Sequence, residues 1–202
     1  MISKATHKIT GHVKMFDPVT NEVILDQKNA IHYENFSESL AYSLANKDQG
    51  YIYRMDFGNG GTSVDPTGVI TYLPANTINQ NADLYNNTYY KVVDDSSVAN
   101  NDPSRNNLTV IHTPGKVYTD ILVQCLLDYG EPEGQQAFDN SNQLDGEFVF
   151  DELGLKTWFG DGNLKLITHL VFHPIQKALN RQIQIDYTIR IQALTHLSAC
   201  SE

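Results

Sequence analysis

From Lys8 to Met15 the chain alternates: Ile9, Gly11, Val13 and Met15 fall on one side, Lys8, Thr10, His12 and Lys14 on the other. That period of two is the mark of a strand with one buried face. Asp17-Pro18-Val19-Thr20-Asn21 supplies a turn, with Pro at the second position, and Val23-Ile24-Leu25 reads as the return strand. The same alternation is unbroken from Gln182 to Gln192, where Ile183, Ile185, Tyr187, Ile189 and Ile191 share a face opposite Gln184, Asp186, Thr188 and Arg190.

Between these strands the period changes once. Over 33–46, Phe36, Leu40, Ala41 and Leu44 form an apolar stripe at helical spacing, with Glu34, Ser37, Glu38 and Ser43 off it. The spacing predicts one amphipathic helix, packed through that stripe and ended near Gly50. An aromatic-rich strand, 51–57, then runs into Gly58-Asn59-Gly60-Gly61-Thr62. Residues 74–107 are dense in Asn and Asp, broken only by the segment 84–93. A connection this long without regular structure is usually functional or disordered, and here it reads as a loop-rich insertion, an arm for neighbouring subunits. Further strands are expected at 108–111, 116–127, 146–155 and 164–172, the last after a Gly160-Asp161-Gly162-Asn163 hairpin turn. The pattern predicts one mainly β domain over 1–202, an antiparallel β-sandwich or open barrel with a single helix. No internal repeat is present.

Composition sharpens this reading. Charged residues are only 19% of the chain and the net charge is −10. Lys and Arg are scattered singly, so the basic face needed for counterion release on nucleic acid is missing and no direct nucleic-acid partner is expected. Polar, weakly charged loops suit burial against other protein copies. No apolar run approaches the roughly 18 residues of a membrane span, and the opening Met-Ile-Ser-Lys-Ala-Thr-His-Lys lacks the apolar stretch of a signal peptide. Cys125 lies in an apolar run and reads as a buried small hydrophobe, while Cys200 reads as exposed, so no disulfide framework is indicated.

His169 and His173 would share a face of a strand, but four residues of extended chain at about 3.3 Å each place them roughly 13 Å apart, too far to share a metal. Gly58–Thr62 lacks the Gly-Lys-Ser/Thr ending of a phosphate loop and reads as a tight bend built on unusual glycine φ angles. The carboxylates Asp139, Asp145, Glu147, Asp151, Glu152 and Asp161 show no calcium-loop spacing and read as solvated turns. No serine elbow is present, and no residue is nominated as catalytic, metal-binding or cofactor-binding. Tyr51, Tyr53, Tyr72, Tyr85, Tyr89 and Tyr90 could stack on sugars, though core packing explains strand tyrosines equally well.

Two stretches resemble a known family. Asn29-Ala30-Ile31, the helix, and Phe57-Gly58-Asn59-Gly60-Gly61-Thr62 resemble the "Asn-x-Ile, helix, strand, Gly-x-Gly-x-Thr" opening of a diffuse family of tailed-bacteriophage virion proteins. Glu152-Leu153-Gly154-Leu155, the Asp161-Gly162 turn and a strand ending Pro174-Ile175-Gln176-Lys177 are similar to the "Glu-Ile-Gly-Leu, hairpin, Pro-x-x-Lys, strand" run of phage tail, collar and fibre-anchoring proteins. Together they cover residues 8–73 and 147–192. The chain departs from the pattern in its Asn59-Gly60-Gly61 and in its long middle insertion. The resemblance implies a non-enzymatic, oligomeric neck, collar or tail component of the virion, made in the host cytoplasm and bound to copies of itself and to other virion proteins such as fibres. A capsid decoration protein and a carbohydrate-binding receptor module are the rival expectations. It also implies that the motif residues are fold determinants, with Gly58, Gly60, Gly61 and Gly154 at backbone bends and Pro174 closing a strand.

Overall fold

A computed structural model describes residues 5–132, 149–160 and 162–195. Its elements are β1 (Ala5–Phe16), β2 (Val23–Ile31), α1 (Tyr33–Leu44), β3 (Ile52–Gly58), β4 (Thr62–Val64), β5 (Ile70–Tyr72), β6 (Asn87–Val92), β7 (Asn107–His112), β8 (Tyr118–Leu127), β9 (Val149–Trp158), β10 (Leu164–Gln176) and β11 (Ile183–Thr195). Nine strands form one curled antiparallel sheet, a half-barrel, in the order β6-β3-β9-β10-β2-β1-β11-β8-β7; β4 and β5 make a small second sheet. Of the two architectures the alternation allowed, the chain adopts the open, curled one.

The period-two strands behave as read. Val13, Met15, Ile183, Ile185, Tyr187 and Ile189 are all buried in the central core, while His12 and Lys14 face solvent. Burying each such side chain contributes roughly 1.5–3 kcal/mol, which fixes the register of β1 against β11. The first turn is held from within: the Asp17 carboxylate accepts from Val19 N–H (2.8 Å) and from Thr20 N–H, and Asn21 takes the left-handed φ of 62°. Those two backbone hydrogen bonds hold the Asp17 carboxyl below its ordinary range.

The sheet turns its corner at β2. Residues 23–29 pair with β1, whereas Ala30 and Ile31 pair with His169 and Thr168 of β10. Asn29 sits at the switch, its amide donating to the Tyr187 hydroxyl and, at 3.1 Å, to Ala30 O. Gly11 is its cross-strand partner because a Cβ there would collide with the Asn29 side chain.

The helix forms where predicted but packs through a different face. His32, Asn35, Phe36 and Ser39 are buried; Leu40 and Leu44 are exposed, the latter by 79%. Polar contacts made the choice. Asn35 Nδ2 donates to Leu166 O (2.9 Å) and to Gln80 O, and Ser39 Oγ meets Thr157 Oγ1 at 2.8 Å. His32 caps the start, accepting from Asn35 N–H through Nδ1. The stop is Asn46 (φ 52°), not Gly50: Lys47 N–H donates to Tyr42 O and Asn46 N–H to Ser43 O, the paired bonds of a Schellman end. Gly50 serves instead to pass close to Ser39 and bond Trp158 O.

Cys125 is fully buried in β8, and burial pushes its thiol pKa up to about 12. In a Cys200→Ser background, a thiol reagent near pH 8 should therefore label the folded protein negligibly and label it fully once denatured. Rapid labelling of the native state would show that β8 opens. Cys200 itself lies outside the described residues.

Candidate functional site

The two family-like stretches, some 90 residues apart in sequence, converge on a single buried carboxylate pair in β9. Glu152 is wholly buried and Asp151 nearly so. The Glu152 carboxylate accepts four hydrogen bonds: from Gly60 N–H (3.1 Å) and Asn86 N–H (2.8 Å) on Oε1, and from Tyr85 N–H (2.9 Å) and His169 Nε2 (3.0 Å) on Oε2. That fills the acceptor capacity of a carboxylate. Asp151 takes Gly61 N–H (2.9 Å), Thr62 N–H (2.8 Å) and the Thr62 hydroxyl. His169 Nδ1 accepts from Asn76 N–H at 2.7 Å, which leaves the ring proton on Nε2 for Glu152.

Electrostatics separates the pair. Burial raises the Asp151 pKa above the ordinary carboxylate range, against the opposing hydrogen bonds of Thr62 and Gly61 and with help from the neighbouring Glu152 charge. Burial acts on Glu152 in the same direction, but the bonds from His169, Asn86, Tyr85 and Gly60 together outweigh it and hold Glu152 below its usual range. The glycine-rich loop is thus an anion cradle already filled by the chain's own carboxylates.

This corrects two sequence expectations. Asp151 and Glu152 are not solvated turn residues: β9 is buried on both faces, so its carboxylates must find donors inside. And Gly58, Gly60, Gly61 and Gly154 do not need left-handed φ angles. At Gly58, Gly60 and Gly154 neighbours come too close for a side chain, while at Gly61 a Cβ would only press on Val171 Cγ1 at 3.0 Å. A Cβ at Gly58 would strike Asn86 O, one at Gly60 would lie 2.8 Å from Asn86 N, and one at Gly154 would lie 2.6 Å from Thr168 O. Asn59 completes the loop, its side-chain oxygen accepting from Asn86 Nδ2 at 2.6 Å.

The remaining motif residues lie elsewhere. Asn29 holds the sheet corner. Pro174 is inside β10, not at its end, where the pairing with β9 shifts between Val171 and Ile175; an irregular ladder tolerates its missing N–H. Lys177 is fully buried and donates to Asp128 O (2.8 Å) and Ala178 O (3.0 Å). His173 is exposed and meets the Tyr72 hydroxyl, so it and His169 serve separate contacts. Among the described residues no cluster of His, Cys, Asp or Glu is arranged to hold a metal ion. Asp139, Asp145, Glu147 and Asp161 lie outside them.

Compared with known proteins, the chain matches no family model, no curated protein and no solved structure.

Sequence reasoning missed the role of the Asn-rich segment. Its first part lies as a strap across β9 and β10 of its own chain, delivering Asn76, Tyr85 and Asn86 to the carboxylate cage and Asp83 to Lys156 (2.6 Å). Its second part buries Asn100 and Asn106, whose amides replace missing ladder bonds; Asn106 Oδ1 accepts from Leu126 N–H at 2.9 Å. The only local signal was the Asn content itself, which reads equally as a solvated loop. Among the described residues no helix is long and apolar enough to cross a membrane.

The two free edges of the half-barrel approach each other beyond the end of β7. There Lys91 of β6 reaches across to Leu126 O (2.9 Å) and to the Glu131 carboxylate (2.7 Å). Beside this bridge lies a cleft of about 800 Å³ between β6 and the loops 99–106 and 126–132.

Burial lowers the Lys177 pKa to about 8, despite the nearby Glu131 and Asp128 charges. The unfolded chain holds that proton up to the ordinary value of 10.5, so stability rises with pH between about 8 and 10.5 through this group. The stability difference between wild type and Lys177→Met is therefore expected to move in favour of wild type by about 2 kcal/mol from pH 7 to 9.5, at roughly 1.4 kcal/mol per unit beyond 8. Urea titrations at the two pH values read it, and a difference that does not change with pH would contradict the buried ammonium.

Proposed function

We propose that this chain is a non-enzymatic structural component of a tailed-bacteriophage virion, at the neck, collar or tail, where it assembles with copies of itself and connects or anchors neighbouring virion proteins such as fibres. The observation that carries the reading is the convergence of the two family-like stretches on one cage. Gly58–Thr62 and Glu152–Gly154, found in the same order as in the phage proteins they resemble, are tied to each other by Asp151 and Glu152. Motifs that meet at an internal, saturated hydrogen-bond centre act as determinants of a shared fold.

Two further features support it. The grouped side chains of Asp151, Glu152 and His169 are turned wholly inward, with their polar atoms committed to backbone donors, to the Thr62 hydroxyl and to one another. And the edge strand β7 pairs with β8 without a register shift, carries no charged residue, and exposes Val110 by 69% and Ile111 by 46%. Edge strands that avoid pairing normally carry Lys, Pro or a bulge, so β7 suits assembly between subunits.

Mass spectrometry of purified particles from the source, with light scattering on the isolated protein, tests the proposal. The chain is expected in the particles at the level of a structural protein. A closed ring in solution would mark a self-assembling component, and a monomer one that oligomerises on its neighbours. Absence from the particles would overturn the reading.

A further inference from the structure

The cleft beside the Lys91 bridge has a composition that the assembly reading does not use. Tyr53, Tyr90 and Trp158 line it, with Tyr53 and Trp158 in contact at a centroid distance of 5.0 Å. The Arg54 guanidinium lies 4.3 Å from the Tyr90 ring centroid, which fixes that ring while leaving the residue half exposed. Tyr89 also reaches the cleft but packs on Phe57 and Phe150 of the core, while Tyr85 packs on His169 and Tyr72 bonds His173 away from it.

Around the rings the charges are already matched. Arg54 pairs with Asp56 (2.6 Å), Lys91 with Glu131, and Arg105 with Asp102 and Asp128. The described lining holds three cations, Arg54, Lys91 and Arg105, and three carboxylates, Asp102, Asp128 and Glu131, so it carries no net charge on a chain of net −10. An anionic or cationic ligand gains nothing from such a site. A peptide adding as a strand to β6 is blocked where Lys91 spans to Leu126 O. What remains favourable is a neutral ligand with apolar faces for the rings and many hydroxyls for paired carboxylates and guanidiniums. The volume falls within the roughly 300–1,000 Å³ of small-ligand sites.

We propose that this cleft binds a neutral oligosaccharide, with Tyr53, Tyr90 and Trp158 as its stacking surface and the Arg54, Arg105, Asp102 and Asp128 side chains as its hydroxyl partners. The site stands independently of the virion assignment, whose test concerns particles and not sugars.

Trp158 is the only tryptophan in the chain, so its emission reports on this cleft directly. The full chain is titrated with neutral oligosaccharides of glucose (α- and β-linked), mannose and N-acetylglucosamine, and the same protein is applied to a glycan array. At least one neutral glycan is expected to shift the emission saturably. Tyr90→Ala should weaken that binding by about tenfold, with Tyr90→Phe close to wild type and the distant, exposed Tyr33→Ala unchanged; circular dichroism confirms that each variant is folded. A blank panel and array, binding confined to charged glycans, or unaltered affinity in folded Tyr90→Ala would each overturn the assignment.

Discussion

Glu152→Ala is expected to lower the unfolding free energy by roughly 4–6 kcal/mol, enough to unfold most of the protein if its stability lies near the lower end, about 5 kcal/mol, of the ordinary range. The variant removes the acceptor of four donors at once: the N–H groups of the part-exposed loop residues Gly60, Tyr85 and Asn86, and Nε2–H of the fully buried His169. A buried donor left unpaired costs about 1–3 kcal/mol, and the cost is largest at His169, which like Glu152 is fully enclosed. Glu152→Gln keeps the shape and one acceptor oxygen, so Gly60 and Asn86 can remain bonded while an amide NH₂ confronts Tyr85 and His169. It should lose about half as much. Urea denaturation of the three proteins reads the series. A Glu152→Ala midpoint close to wild type would mean that the cage contributes little, and would remove the main structural support for treating the motifs as fold determinants.

The second large effect is steric. β9 lies between β3 and β10, and Gly154 faces Asp56 on one side and His169 on the other. A methyl group at Gly154 would lie 2.5 Å from Leu166 Cδ1, 2.6 Å from Thr168 O and 3.2 Å from Leu84 Cδ2. The carbonyl belongs to the neighbouring strand and cannot move without breaking the ladder. Gly154→Ala should therefore cost roughly 3–5 kcal/mol, at the upper end of overpacking penalties. Gly115→Ala is the comparison: its Cβ would meet nothing within 4 Å, but its φ of 85° makes alanine strained, so about 1 kcal/mol is expected. Thermal melts of the two variants should separate clearly. Equal losses would show that the close approach of strands at Gly154 costs no more than a strained φ at an open turn, and would overturn the steric account.

What could be read from the sequence was local. β1 and β11 were legible because their side chains alternate between core and solvent, and the helix because its period is helical. The face of that helix was not, because Asn35 and Ser39 are buried by hydrogen bonds to Leu166 and Thr157, residues well over a hundred positions away. The carboxylate cage was illegible for the same reason: Glu152 and its donors at Gly60, Tyr85 and Asn86 are joined across 92, 67 and 66 residues. A buried polar group looks like a surface group until its partners are known. The resemblance to phage proteins singled out Gly58–Thr62 and Glu152–Gly154 without saying that they touch. The cleft was beyond reach for a related reason, since Tyr53, Tyr90 and Trp158 come together only when β6, β3 and β9 are neighbours.

The pairing of β1 with β11 also constrains how the protein is made. Their ladder runs from Ala5↔Thr195 to Phe16↔Gln184, in the middle of the sheet. On the ribosome β1 has only β2 for company until β11 emerges, so the nascent chain must hold Ile9, Val13 and Met15 exposed while everything between β2 and β11 is made. Contacts this distant in sequence make for slow closure and leave an unpaired apolar edge open to chaperones and to misassociation. Truncation before β11 would leave a chain with a gap at the centre of its sheet, and circular permutation that joins β11 directly to β1 would turn the most distant pairing in the molecule into a hairpin and should speed folding.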